Sequence, residues 1–308
     1  MPDPQIAIVT GANTGLGFET SLGLAKAGRH VILACRDTAK AEAAAEKIRE
    51  EAPQASLETM ALDLIDRPSV KAFAKDFASR HPRLDLLVNN AGVMGPEKTI
   101  TDNGLELQFD ANHVGHFLLT SHLMSSLAEA PAARVVTVSS LAGKHPEAEI
   151  RFDNLNWAGC YEEGPIRLMG LTGMGAYCQS KLANLLFTVE LTEKLNAAGK
   201  ENIISVAAHP GGSNTDLSRH MAPLVRLLVP VLAKMMGLSS PAEGAQSQLH
   251  AALDPAVKAN DFFGPTGKGE YAGPPGASRL PSKARDAELR ERLWTKTEEL
   301  LGEPFQLA

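Results

Sequence analysis

Tyr177 and Lys181 stand four residues apart in the stretch 176–198, whose composition predicts a helix, so both side chains leave one face. A free tyrosine titrates at about pH 10, too high for proton transfer near neutrality. An ammonium held about 4 Å away contributes roughly 4 kcal/mol at an effective dielectric of ~20. That corresponds to about three pKa units before desolvation takes its share. The pair can therefore turn Tyr177 into a general acid or base. The plainer alternative is a tyrosine and a lysine packing across one helical turn.

The elements that must position this pair begin at the N-terminus. Ile6-Ala7-Ile8-Val9 is the short apolar run of a strand buried on both faces. It enters Thr10-Gly11-Ala12-Asn13-Thr14-Gly15-Leu16-Gly17, then a helix over 16–27 and a second apolar run, Val31-Ile32-Leu33-Ala34. Such a β-α-β unit with a glycine-rich first turn favours a pyrophosphate, because the backbone approaches closely and the helix start offers N–H groups and a positive dipole end. The spacing is Gly-x-x-x-Gly-x-Gly, and similar turns also arise for steric reasons alone.

Further along, helices are expected over 38–52, 68–81, 104–128 and 176–198. Strands are expected over 56–62, 84–88, 134–139 and 203–208, with an irregular stretch over 141–175. Regular alternation predicts a doubly wound α/β Rossmann fold. Its parallel sheet of about seven strands carries helices on both faces, and ligands sit outside the C-terminal strand ends. The 308 residues read as one domain, 1–308, with a substrate-loop region at about 213–238 and a C-terminal extension at about 275–308.

Apolar residues make up 44% and charged residues 21%, enough to bury a large core. A net charge of −6 argues against nucleic acid as a partner. Cys35, Cys160 and Cys178 have no metal-type spacing and fit a reducing compartment, so no metal is expected and a cytoplasmic location is. Met1-Pro2-Asp3-Pro4-Gln5 leads straight into the first strand, which predicts no signal peptide and no N-terminal anchor. The apolar segment 221–236 is shorter than the ~20 residues of a membrane helix and is interrupted by Pro223, Arg226, Pro230 and Lys234. It reads as a substrate lid or an interfacial helix.

With these pieces in order, the chain resembles the short-chain dehydrogenases/reductases. The resemblance rests on Thr10-Gly11-x-x-x-Gly15-x-Gly17, Asp63-Leu64, Asn89-Asn90-Ala91-Gly92, Asn112, Ser140, Tyr177-x-x-x-Lys181 and Pro210-Gly211, over roughly the first 215 residues. Phe152-Asp153-Asn154-Leu155-Asn156-Trp157 and Gln179-Ser180-Lys181-Leu182-Ala183-Asn184 are similar to the retinol-dehydrogenase-like branch. The light-dependent protochlorophyllide reductases share much of that pattern.

The resemblance implies hydride transfer between a nicotinamide cofactor and an alcohol or carbonyl carbon. Tyr177 would move the proton, and Ser140, rather than its neighbour Ser139, would hold the substrate oxygen. Lys181 would bond the ribose, and Asn112 would position a water in a relay through Lys181. A strand-end serine capping a turn and an asparagine bonded to backbone are the competing accounts of Ser140 and Asn112. Gly11, Asn13, Thr14, Gly15, Leu16 and Gly17 would cradle the cofactor, with Asp63 and Leu64 at the adenine. Asn90, Ala91 and Gly92 would border the ribose region, and Pro210, Gly211 and Thr215 the carboxamide edge.

At the end of the second strand, where an NAD enzyme usually carries an acid, this chain has Cys35 followed by Arg36. An arginine pairs bidentately with a 2′-phosphate, and Asp37, one residue late, reads as the start of the next helix. NADP(H) is therefore expected over NAD(H). The apolar 213–238 region favours a lipophilic substrate, such as a retinoid, a steroid or a long-chain carbonyl compound; a monomer and a homodimer both remain open. Two other functions compete: a C=C reductase like the protochlorophyllide enzymes, and a noncatalytic NADP(H)-binding sensor. His113, His116 and Cys178 are read as core residues, and His209 as a neighbour of the site without assigned chemistry.

Overall fold

The computed structural model describes residues 4–161, 173–212 and 239–307. The chain runs β1 (Ile6–Thr10), α1 (Gly15–Lys26), β2 (His30–Cys35), α2 (Thr38–Glu51), β3 (Ser56–Ala61), α3 (Arg67–Arg80) and β4 (Leu86–Asn89). A helical turn α4 (Leu107–Phe109), a π-helical stretch Asp110–Val114 and α5 (Gly115–Ala128) lead to β5 (Ala133–Val138). Then come α6 (Met174–Ala197), β6 (Ile203–Ala208), α7 (Pro241–Leu253), β7 (Phe262–Pro265), β8 (Pro275–Ala277) and α8 (Ala287–Leu301).

β1 shows why its sequence is uniformly apolar. All five residues are buried, with Ile6 and Ile8 in one core and Ala7 and Val9 in the other. A parallel strand covered on both faces needs no polar alternation. The strand order is β3-β2-β1-β4-β5-β6-β7-β8. Chain direction across the sheet reverses between β1 and β4, and a crevice opens there at the carboxyl ends.

Helices α1, α2 and α7 cover one face through Leu22, Leu24, Ala45, Ile48 and Ala251. On the other face lie α3, α5 and α6, with Phe73, Phe77, Phe117 and Phe187. α8 closes the outer side of α6, where Trp294 stacks on Phe187 with centroids 5.9 Å apart. α6 is thus enclosed on nearly every side, which explains an apolar sequence without a clear solvent stripe.

Local signals set several helix ends. Asp37 accepts the Lys40 N–H at 3.1 Å to start α2. Ser240 and Glu243 form a reciprocal capping box at α7. Gly302, at φ 70°, terminates α8.

The sheet has the expected seven parallel strands, β1–β7, and Pro275–Ala277 adds an eighth, antiparallel edge strand to β7. One expectation requires correction. The helix expected over 104–128 starts at Leu107 and is interrupted by the π-helical stretch. Gly104 instead turns the chain at φ 75°, and the Glu106 carboxylate caps Phe109 N–H at 2.9 Å. The 213–238 region, with Thr215 and the 221–236 segment, lies outside the described residues, as does 162–172 of the irregular stretch. Among the described residues no helix is long and apolar enough to cross a membrane.

Candidate active site

The glycine turn forms one end of the crevice. Gly11 takes φ 65° and donates its N–H to Ala34 O at 2.8 Å, tying the turn to β2. A Cβ at Gly17 would overlap the Gly11 carbonyl, so only glycine lets α1 start this close to the turn. Thr14, at the helix N-cap, places no side-chain cap over the first turn. That helix start borders a cavity of about 840 Å³. Gly11, Asn13, Thr14, Gly15, Leu16, Gly17, Arg36, Asp63, Leu64, Asn90, Ala91, Gly92, Ser140, Tyr177, Lys181, Pro210 and Gly211 all line it. A dinucleotide fits this lining, with the uncapped start of α1 for a pyrophosphate and a basic side chain at the β2 end.

At that end, Cys35 is buried and its sulfur accepts N–H groups from Ala12 and Asn13, with burial pushing the thiol up to about 11. Asp37 is turned to its own helix, where it bonds Lys40 N–H and pairs with Lys40 Nζ at 2.8 Å. The exposed Arg36 borders the cavity and forms no ion pair among the described residues. Lys40 also borders the cavity, a second cation not anticipated from sequence. Its signal was its place three residues after the cap, which returns it to the mouth of the crevice.

At the other end, α6 carries Tyr177 and Lys181 on one face. Lys181 Nζ lies 5.7 Å from the Tyr177 ring centroid and donates to Val138 O at 3.1 Å. Burial lowers the Lys181 ammonium to about 8. The two neighbouring serines separate clearly. Ser139 is buried and donates to the Lys181 carbonyl at 2.8 Å, whereas Ser140 is half-buried and, among the described residues, accepts the Ala142 N–H at 3.2 Å. The Ser140 hydroxyl proton is therefore available toward the cavity.

Asn112 sits behind the lining, inside the π-helical stretch. Its side chain accepts Val93 N–H at 2.8 Å and donates to Val93 O and Ser180 Oγ, each at 3.0 Å. The backbone-bonded account of this residue thus describes its side chain. It also holds the Gly92–Val93 backbone beside Lys181: a Cβ on Gly92 would lie 3.1 Å from Asn112 Oδ1 and 3.4 Å from Lys181 Nζ.

Asn90 serves similarly at β4, donating to Thr10 O at 2.8 Å and accepting from Gln248 at 3.3 Å. Asp63 Oδ1 accepts Ile65 N–H at 3.2 Å, bracing the loop after β3. The core histidines behave as expected. His113 Nε2 meets Thr297 and His116 Nε2 meets Thr10, so they serve different neighbours. Cys178 is buried, with its thiol pushed up to about 11.

His209 has a larger part than sequence suggested. It is fully buried, and its Nε2 meets Glu270 Oε2 at 2.8 Å. Glu270 also accepts Lys144, on the turn after Ser140. The sequence signal for Glu270 was faint, a lone carboxylate in the glycine-rich Gly267-Lys268-Gly269-Glu270.

Comparison with known proteins agrees with this geometry. The family model described as short chain dehydrogenase matches residues 5–151. Retinol dehydrogenase 11 of Mus musculus is 37% identical over 97% of this chain and 87% of its own. Retinol dehydrogenase 13 of Homo sapiens is 38% identical over 97% and 85%. A crystal structure of an uncharacterised protein from Mycobacterium Paratuberculosis superposes with a TM-score of 0.78 at 36% identity, covering 98% of this chain and 95% of that one. Since the likeness runs past the family model into α6, β6 and the C-terminal elements, the chain belongs to the short-chain dehydrogenase family, in its retinol-dehydrogenase-like branch, and acts on alcohol or carbonyl groups.

Proposed function

We propose that this protein exchanges hydride between NADP(H) and a carbonyl or alcohol of a lipophilic small molecule of retinoid, steroid or long-chain type. One observation carries the reading: the Tyr177–Lys181 face and Ser140 share a single cavity with the Arg36 guanidinium, which forms no ion pair among the described residues. When bound, the nicotinamide supplies the hydride. In the reducing direction Tyr177 gives its phenolic proton to the substrate oxygen, and Ser140 donates a hydrogen bond that orients that oxygen. Lys181 lowers the cost of the phenolate through its charge and bonds the ribose. Asn112 keeps the Gly92–Val93 backbone in place and supports a relay water on Lys181. The oxidising direction runs the same steps in reverse.

Arg36 and Lys40, both bordering the cavity at the β2 end, favour a 2′-phosphate; the Asp37 carboxylate borders it too but is bonded to Lys40 N–H and paired with Lys40 Nζ. The lipophilic substrate class draws on the apolar 213–238 sequence and on the two retinol dehydrogenases named above. The test is a screen of lipophilic aldehydes and ketones, including retinaldehyde, for NADPH oxidation with NADH in parallel. Turnover with NADPH at lower KM is expected. Absence of turnover across the panel, or indifference between the cofactors, overturns the corresponding half of the proposal.

A further inference from the structure

Glu270 joins pieces of the site that are far apart in sequence. It lies in the segment after β7, in a turn that also holds Lys268 and Gly269. Its Oε2 accepts His209 Nε2 at 2.8 Å, Lys144 Nζ at 2.7 Å and Ser278 Oγ at 2.7 Å, and its Oε1 accepts Lys144 Nζ at 2.8 Å. The protonation of His209 follows from its partners. Gly211 N–H donates to Nδ1 at 3.2 Å, so Nδ1 is an acceptor and Nε2 carries the proton given to Glu270. A Cβ at Gly264 would overlap the ring, so the imidazole rests directly on the β7 backbone.

The backbone around Glu270 reaches the same turn. Gly211 takes φ 73°, and a Cβ there would come within 2.8 Å of Glu270 O and 2.5 Å of Tyr271 O. Tyr271 O accepts Gly212 N–H at 2.8 Å. The Pro210-Gly211-Gly212 turn is thus held from below by His209 and from the side by the 270–271 backbone. Lys144 closes the helical turn Leu141–Lys144, whose N-cap is Ser140. One carboxylate therefore sets the distance between the turn assigned to the carboxamide edge and the loop bearing the proposed oxygen-holding serine.

Glu270 itself takes φ 59°, a left-handed conformation that costs a non-glycine residue and that glycine adopts freely. Backbone geometry alone would favour glycine here. What glycine lacks is the carboxylate.

We infer that Glu270 is a positioning residue for the nicotinamide end of the site, holding the Pro210–Gly212 turn and the Ser140 loop in register through His209 and Lys144. This rests on the NADP(H) reading above and adds the residue that sets ring placement.

The test uses Glu270→Gly, which removes the carboxylate while relieving the backbone. NADPH and 2′-phospho-ADP-ribose, which lacks the nicotinamide, are titrated against the full-length protein and the variant. The variant is expected to bind the fragment within about twofold, while NADPH binding weakens at least about tenfold. Glu270→Gln, which keeps an acceptor for His209, is expected to recover most of that loss. Equal weakening of both ligands would assign Glu270 a general structural role and overturn the inference, as would unchanged binding of both. If the unmodified protein binds neither ligand, the cofactor reading itself fails, a result distinct from either of these.

Discussion

His116 Nε2 stands 2.9 Å from Thr10 Oγ1, and the same ring's Nδ1 meets the Asn112 carbonyl at 3.0 Å. A carbonyl only accepts, so Nδ1 carries the proton and Nε2 receives the Thr10 hydroxyl. Thr10 in turn accepts the N–H groups of Asn90 and Ala91, each at 2.9 Å. A neutral histidine thereby links the end of β1, the end of β4 and the π-helical stretch around Asn112.

Acid stability follows from that protonation state. Burial lowers His116 and His209 to about 4 and His113 to about 3. Each is neutral when folded but takes up a proton in the unfolded chain below about pH 6.5. The stability they contribute is complete above that pH and is lost as pH falls toward about 4, at up to about 3 kcal/mol for His116. Thermal unfolding across this range should show a steep decline, and His116→Gln should flatten it. An unchanged slope in the variant would contradict the assignment.

Lys181 presents the opposite balance between activity and stability. Its ammonium is held at about 8 by burial, below the ordinary lysine value, so the folded chain carries a desolvated charge at neutral pH. Lys181→Met should abolish turnover yet stabilise the cofactor-free protein by about 3 kcal/mol or less, read as a higher melting temperature. In the parent, kcat/KM should fall as pH rises through about 8, while stability from this group rises between about 8 and 10.5.

The two serines should separate in a paired experiment. Ser140→Ala is expected to reduce kcat about 100-fold with little change in melting temperature. Ser139→Ala leaves the Lys181 carbonyl without its side-chain donor and should cost about 1 kcal/mol of stability. Its effect on kcat should be smaller than that of Ser140→Ala. Interchanged outcomes would move the oxygen-holding role to Ser139.

Arg36→Ala should raise the KM for NADPH by about tenfold or more and leave that for NADH within about twofold, since the proposed role of the guanidinium is to pair with the extra phosphate. Kinetics with both cofactors measure this directly. Lys40→Ala should show a weaker change in the same direction, since Asp37 already shares its charge.

Tyr177→Phe removes the proposed proton donor and keeps the ring. Turnover should fall by about 10²–10⁴-fold while NADPH still binds, as read by quenching of protein fluorescence. Retained turnover would place the proton transfer on another group.

The sequence by itself determined the βαβ start, the alternation of buried strands and helices, and the register that sets Tyr177 and Lys181 on one face. Each is written in neighbouring residues: apolar runs, a glycine turn, a spacing of four. It also contained the answer at Asp37, whose cap on α2 depends on the next three residues. Tertiary structure decided what depends on distant partners. Ser139 and Ser140 are alike until the Lys181 carbonyl, 42 residues along the chain, engages one of them. The break at Asp110–Val114 is invisible to helix propensity, and within it Asn112 bonds Val93, 19 residues back along the chain. Glu270 acquires its meaning when antiparallel β8 brings Ser278 back and β6 delivers His209 to the same carboxylate. Hydrogen bonds between remote segments leave no periodic trace in a sequence, and those bonds hold this site together.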